Sequence, residues 1–384
     1  MEREKSGFDQ GADDGLASPI RASSNRRAFI AGAVAGLGAI AVGPTRAQQA
    51  FPTPIVDRLT LQVLVDNATF GPFLPDQSLP GLQVKRETGD GGRDRMSRDA
   101  LKAEFGLSIL GVSQKGAQTR RVIVDFGYTP DALANNLAML GVDPDQIDAA
   151  VLSHGHLDHY GGFSGLFRGR PVKPRNLPMF VGGEETFCER VAMIASPPPI
   201  MGALDREQLA RAGLQVRIAP QPTVVADQAF TSGVIPLLSS ERAAIPTAMR
   251  PGVGCDVAKL APAKRGATQV MDDGEHELAT CYAVKGLGLV VISSCSHRGV
   301  LNAVRQAQAL SGIQKVHAVV GGFHLVRPRT DDEARQTAAE FVKMNPTYIV
   351  PMHCTGEVFI AEALRLMPGK IVRPYVGTSL LFEA

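Results

Sequence analysis

Beyond residue 50 the sequence has no apolar run near the roughly 20 residues that span a bilayer, so a soluble mature protein is expected. It has no charge imbalance either. Lys and Arg number 40 against 38 Asp and Glu, a formal +2, and removing residues 1–47, which hold six basic and five acidic groups, leaves +1. That balance excludes the strongly basic surface a nucleic-acid partner requires. Cysteine is sparse: Cys188, Cys255, Cys281, Cys295 and Cys354 show no Cys-x-x-Cys spacing, and an odd number leaves at least one thiol free. Most of the five are expected to be small buried residues. Absence of a Gly-x-Ser-x-Gly elbow argues against serine hydrolase chemistry, absence of a flavin or haem segment argues against electron transfer, and no internal repeat of fixed short period is present.

What is present begins with an address. Ser24-Asn25-Arg26-Arg27-Ala28-Phe29-Ile30 sets paired arginines before the Gly/Ala-rich run Phe29–Val42, and Thr45-Arg46-Ala47 offers small residues for cleavage. This is the pattern of a twin-arginine signal peptide over residues 1–47, implying the twin-arginine export machinery as a partner and a periplasmic destination. The alternative, a glycine-softened membrane anchor, fits less well because the run is shorter than a bilayer span. Residues 48–384 are then one large domain; 44% hydrophobic content suffices for a sizeable core.

Apolar, β-branched runs at Leu61–Val65, Arg121–Asp125, Ala149–Ser153, Met179–Val181, Leu289–Ser293, His317–Val320 and Tyr348–Met352 predict strands. Helical periodicity over Pro130–Leu140, Val300–Leu310, Asp331–Met344 and Glu357–Met367, the third behind the capping box Thr330-x-x-Glu333, places helices between them. Such alternation predicts an α/β domain with helices outside the sheets. Two stretches break the pattern. Gly81–Arg98 is a polar, glycine-bearing loop, and residues 196–274, opening on Ser196-Pro197-Pro198-Pro199, form a Pro/Gly-rich insertion expected to wall the substrate pocket.

Chemistry concentrates in Val151-Leu152-Ser153-His154-Gly155-His156-Leu157-Asp158-His159-Tyr160-Gly161-Gly162. Three of the eight histidines fall within six residues, directly after a buried strand. Imidazole and carboxylate are the usual non-thiolate zinc ligands, and alternation in an extended turn sends His154 and His156 to one side. Asp158 and His159 can face a second ion. Gly155, Gly161 and Gly162 permit a tight turn.

The run His-x-His-x-Asp-His after a hydrophobic strand resembles the signature of the metallo-β-lactamase superfamily. The likeness extends over most of the mature chain and is nearest to the branch named for dihydropterin ribofuranosyl-aminobenzene phosphate synthase. It is carried by Val63-Leu64-Val65-Asp66-Asn67, Gly106-Leu107-Ser108, Arg121-Val122-Ile123-Val124-Asp125-Phe126-Gly127, Ser294-Cys295-Ser296-His297-Arg298-Gly299, Gly321-Gly322-Phe323-His324-Leu325 and His353-Cys354-Thr355-Gly356. The resemblance implies an αββα sandwich with metals at one edge between the sheets, and a structural role for Asp125 beside the ligands.

It also implies ligands from later strands. His353 resembles the last histidine ligand. Most members of the superfamily place a bridging aspartate after the strand Leu289–Ser293, where this chain has none; Cys295 stands at that position and His297 can swing in instead. His297 is favoured, because a bridging thiolate would be open to oxidation in the periplasm. His276 is a candidate for the superfamily's middle histidine, His324 for a substrate contact or proton donor, and His317 for a structural role. The implied activity is hydrolysis of a small, anionic ester or phosphoester substrate, using hydroxide held between two zinc ions about 3.5–4 Å apart, with iron or manganese as alternative metals. Asp158 would orient the hydroxide and His324 or a metal-bound water would protonate the leaving group. Two other readings stand beside it: a pseudo-enzyme that binds metal or an anionic ligand without turnover, and an iron-containing redox relative.

Overall fold

The computed structural model describes residues 51–69, 74–87, 100–171 and 175–384. The paired arginines and the cleavage site lie outside the described residues, as does 88–98 of the polar loop. Among the described residues no helix is long and apolar enough to cross a membrane.

Alternation within the strands dictates the layers. In Gly288–Ile292, Val290 and Ile292 enter one apolar cluster while Leu289 and Val291 enter another. In Gln118–Val124, Val122 and Val124 join the first of these clusters and Ile123 a third. A strand that is apolar on both faces must be covered on both. Each sheet therefore meets the other sheet through the shared cluster and meets helices through its own.

One sheet has nine strands in the order Leu214–Ile218, Leu177–Val181, Ala149–Val151, Gln118–Val124, Ser108–Lys115, Arg58–Val65, Thr378–Glu383, Leu82–Arg86 and Gln77–Leu79. The other has seven: Thr223–Val225, Ala229–Thr231, Thr280–Val284, Gly288–Ile292, Val316–Gly321 and Tyr348–Pro351, with Ile55–Val56 paired to Thr280–Val284. Helix Pro130–Met139 covers the first through Leu133 and Leu137. Helices Val300–Ser311, Asp331–Met344 and Glu357–Leu366 cover the second through Val304, Phe341 and Phe359. The expected αββα sandwich is the observed one. Helix Asp331–Met344 starts where predicted, because Thr330 Oγ1 accepts from Glu333 N and the Glu333 carboxylate accepts from Thr330 N.

Three readings change. Residues 196–274 are not a uniform insertion: Leu214–Ile218 extends the first sheet, Thr223–Val225 and Ala229–Thr231 extend the second, and only Ile200–Gly202, Thr247–Arg250 and Val270–Met271 join Glu189–Ala192 in a separate four-stranded sheet. Strands of two to five residues between prolines and glycines are too short to show a period. Leu82–Arg86 is also a strand and not the start of a loop, with Leu82 and Val84 buried by alternation. Cys188 and Cys255, 67 residues apart, form a disulfide, so they are not isolated small core residues; Cys281, Cys295 and Cys354 are free and buried.

Strands Gln118–Val124, Ala149–Val151 and Leu177–Val181 are parallel, as are Gly288–Ile292, Val316–Gly321 and Tyr348–Pro351. Ligand sites in open α/β sheets lie outside the carboxyl ends of such strands. The loops leaving these ends carry Asp125, His154, Cys295, His324 and His353.

Candidate metal centre

The chain turns sharply at each of these strand ends. Seven described non-glycine residues have positive φ, and Asp125, Ser296, His324 and His353 are four of them. Left-handed backbone disfavours L side chains and is held here by specific contacts. His353 N, for example, donates to Asp66 Oδ1 at 2.9 Å. The glycines serve space more than conformation: a Cβ at Gly161 would strike the Tyr128 carbonyl, and one at Gly162 the Phe126 carbonyl.

Two groups of ligand atoms result. His154, His156 and His297 bring ring nitrogens within 4.8 Å of one another, and so do Asp158, His159 and His353 with their own nitrogens and carboxylate oxygen. Cys295 Sγ forms a third such set with His154 and His159, one member from each group, and a fourth with His324 and Cys354. All the expected ligands His154, His156, Asp158, His159, His297 and His353 thus converge. His297 stands as the third imidazole beside His154 and His156, and Cys295 approaches one histidine of each group. The left-handed turn at Ser296 separates the two side chains.

Each imidazole is oriented from outside. His154 Nδ1 faces Ser153 Oγ at 2.9 Å, and that hydroxyl donates to Asp125 Oδ2 at 2.7 Å. His159 Nδ1 meets the same Asp125 oxygen at 2.8 Å. His297 Nδ1 meets Ala244 O, and His353 Nδ1 meets Asn67 Oδ1, each at 3.2 Å. His156 uses its other nitrogen, Nε2, toward Thr247 Oγ1 at 3.0 Å. With the outer nitrogens donating to these acceptors, every inner nitrogen presents a lone pair.

Those lone pairs face one another. His156 Nδ1 and His297 Nε2 stand 3.2 Å apart, His159 Nε2 and His353 Nε2 also 3.2 Å, and His154 Nε2 is buried without a partner. In the His156–His297 pair, acceptors opposed at that distance without a donor repel, and a cation relieves the repulsion; His353 Nε2 has the Asp158 carboxylate 3.2 Å away. The residues present therefore fit metal ions. Burial, then neighbouring imidazoles, holds His154 and His297 well below the usual histidine range, and burial brings His156 to about 3. Those three rings are neutral and free to coordinate, whereas His353, which burial alone would lower, is held well above the usual range by Cys354 and Asp158. Burial raises the Asp158 carboxyl, but His159 and His353 outweigh it and keep it below the usual range, so it is ionised.

His276 does not join them. Its Nε2 accepts from Gly155 N at 3.2 Å and lies 3.1 Å from Arg190 Nη2. Glu185 and Asp272 complete that cluster, already neutralised by Lys264 and Arg190. His276 is thus a brace under the His154–His156 turn and not the middle histidine. Sequence reading also missed Thr247, Ala244 and Glu277. Glu277 accepts from the backbone N–H of His297 and Arg298, both at 2.7 Å, and burial pushes it up to about 7. His317 is structural, with Nε2 3.1 Å from Gly81 O and its ring against Tyr348. His324 lies 4.4 Å from the His297 ring by centroids, with Nδ1 3.5 Å from Cys295 Sγ and Nε2 lacking a partner.

A family model described as the metallo-beta-lactamase superfamily matches residues 116–178. A crystal structure of a metal-dependent hydrolase of the beta-lactamase superfamily superposes with a TM-score of 0.60 at 22% identity, covering 84% of this chain and 98% of that one. This chain has the metallo-β-lactamase fold. Curated proteins of Methanocaldococcus jannaschii are also similar to it. One, named as 7,8-dihydropterin-6-methyl-4-(beta-D-ribofuranosyl)-aminobenzene-5'-phosphate synthase, is 27% identical over 283 residues, 71% of this chain and 90% of that protein. Another, uncharacterized, is 26% identical over 240 residues, 62% of this chain and 80% of its own length.

Proposed function

We propose that the chain is a hydrolase holding two metal ions, expected to be zinc. His154, His156 and His297 hold one, Asp158, His159 and His353 the other, and Cys295 reaches both. Opposed, outwardly anchored imidazole lone pairs carry this reading. Ions bound there would acidify a water and polarise a substrate oxygen. The chain's own contribution is orientation and proton handling. Asp158, ionised and 12% exposed along its side chain, can orient the attacking water. His324 Nε2, buried and unpartnered, is placed to give one to the leaving group.

A 950 Å3 cavity walled by Ile245, Met271, Leu325 and Val326, the last two following His324 in the chain, carries Arg327 and Arg329 together with Asp331 and Glu357. Its size suits a small organic substrate, and an anionic ester or phosphoester is the class we propose. The relative named as a synthase supplies a second reading, group transfer at the same centre. Elemental analysis should find two ions per chain, and His156→Ala should lose at least one along with turnover of a phosphodiester, phosphomonoester and lactone panel. Full metal with no turnover in water, but turnover once an acceptor is supplied, would move the conclusion to transfer. A chain without metal would end both readings.

For its compartment we propose the periplasm. The Cys188–Cys255 disulfide supports an oxidising location, and a twin-arginine route carries folded chains. Replacing Arg26 and Arg27 together by lysine should leave the protein in the cytoplasmic fraction; unchanged periplasmic recovery would refute that route.

A further inference from the structure

The two free thiols at the centre lie against each other. Cys295 Sγ and Cys354 Sγ are 3.1 Å apart, and both residues are buried. A disulfide needs about 2.05 Å, so the sulfurs have to close by about 1 Å. The two strands behind them set this approach: Cys295 leaves Gly288–Ile292, and Cys354 leaves Tyr348–Pro351, with Val316–Gly321 between them. Gly322, in the loop after that middle strand, leaves room for the Cys354 sulfur, which would lie 2.7 Å from a Cβ there. The remaining free thiol, Cys281, points into apolar core and has no such neighbour.

We propose that Cys295 and Cys354 form a reversible second disulfide, and that this bond and the metal contact of Cys295 exclude each other. The proposal rests on reading Cys295 as the ligand common to both metal positions. A peroxide supplies the oxidising equivalents. One thiol attacks the O–O bond and becomes a sulfenic acid, releasing water; the second displaces the sulfenic hydroxyl as another water, closing the S–S bond. In sum two thiols and one hydrogen peroxide give one disulfide and two waters, with two electrons passing from sulfur to oxygen. His324 Nδ1, 3.5 Å from Cys295 Sγ, can take the thiol proton during attack. Once bonded, the sulfur no longer offers a thiolate to the space between His154 and His159. Conversely, a metal-held thiolate is withdrawn from oxidation. The result is a centre that records its own emptiness: without metal it is closed by an oxidant and reopened by a thiol reductant.

The test uses full-length protein, stripped with a chelator or loaded with zinc, and exposed to hydrogen peroxide. Non-reducing peptide mass spectrometry should find peptides containing Cys295 and Cys354 joined in the stripped protein, while Cys281 stays a thiol. Subsequent zinc uptake should fall from two ions to one, and dithiothreitol should restore both. Loaded protein should form the bond at least about tenfold more slowly. In Cys354→Ser, Cys295 should run on to sulfinic acid, which dithiothreitol does not reverse. If both thiols survive peroxide in the stripped protein, the modification site is refuted. If they join and two ions still bind, exclusion is refuted. Untreated protein that takes up two ions upholds the metal reading in either event, so the two failures are distinguishable.

Discussion

Asp125→Ala is expected to destabilise the metal-free chain by roughly 3–5 kcal/mol and to weaken metal binding by about 10- to 100-fold. The carboxylate is fully buried and accepts three hydrogen bonds, from Ser153 N and Ser153 Oγ at 2.7 Å each and from His159 Nδ1 at 2.8 Å. Its loss strands three donors, and each buried donor left unsatisfied costs about 1–3 kcal/mol. The metal effect has a different origin. Asp125 fixes the tautomer of His159 directly and that of His154 through the Ser153 hydroxyl, so one carboxylate aims two lone pairs inward. Asp125→Asn separates the effects: the amide keeps the shape and one acceptor but turns its NH2 toward donors. Its stability loss should be smaller than that of alanine, with a comparable fall in metal affinity. Urea unfolding of the stripped proteins and competition with a chromophoric chelator read the two quantities. Full metal affinity in both variants would sink the tautomer argument.

Sequence and structure agree wherever the signal is local. The six-residue run from His154 to His159, the seven strand cores and the four helices with the Thr330 capping box are each written in consecutive residues. What escaped depends on distance along the chain. Thr247 orients His156 from 91 residues away, and His297 faces His156 from 141 away; no spacing rule connects them. Its place before a strand makes His276 a candidate ligand, yet its Nε2 accepts from the Gly155 amide, a contact visible only in three dimensions. The alternatives at Cys295 and His297 were posed as rivals for one position. Their side chains join different groups, with the left-handed backbone of Ser296 between them. Strand Ser108–Lys115 was hidden by Gly111, whose missing side chain makes room for the Tyr282 hydroxyl, 2.5 Å from where a Cβ would stand.

Arg190→Met should be the other severe substitution, losing about 3–5 kcal/mol at neutral pH. Arg190 is 1% exposed and sits on strand Glu189–Ala192 beneath the centre. Its Nε donates to Asp272 Oδ2 at 3.0 Å, Nη1 to the Cys188 and Glu185 carbonyls, and Nη2 lies against His276. Methionine fills similar space, so the loss is chiefly the Asp272 charge left without a partner. That assignment fixes the pH dependence. In the native chain burial raises the Asp272 carboxyl, but Arg190, then His276 and His156, outweigh it and hold it below the usual range. A depressed carboxyl contributes stability above its unfolded pKa of about 3.9, and loses it as pH falls through the folded value. Without the guanidinium, burial dominates and the carboxyl titrates above its unfolded value. The variant therefore regains stability relative to the native chain as acidification protonates Asp272. Urea midpoints of both proteins at pH 7 and pH 5 measure this, and the gap should be smaller at pH 5. A gap that widens on acidification would mean that packing or the brace on Gly155, and not the unpaired charge, accounts for the loss.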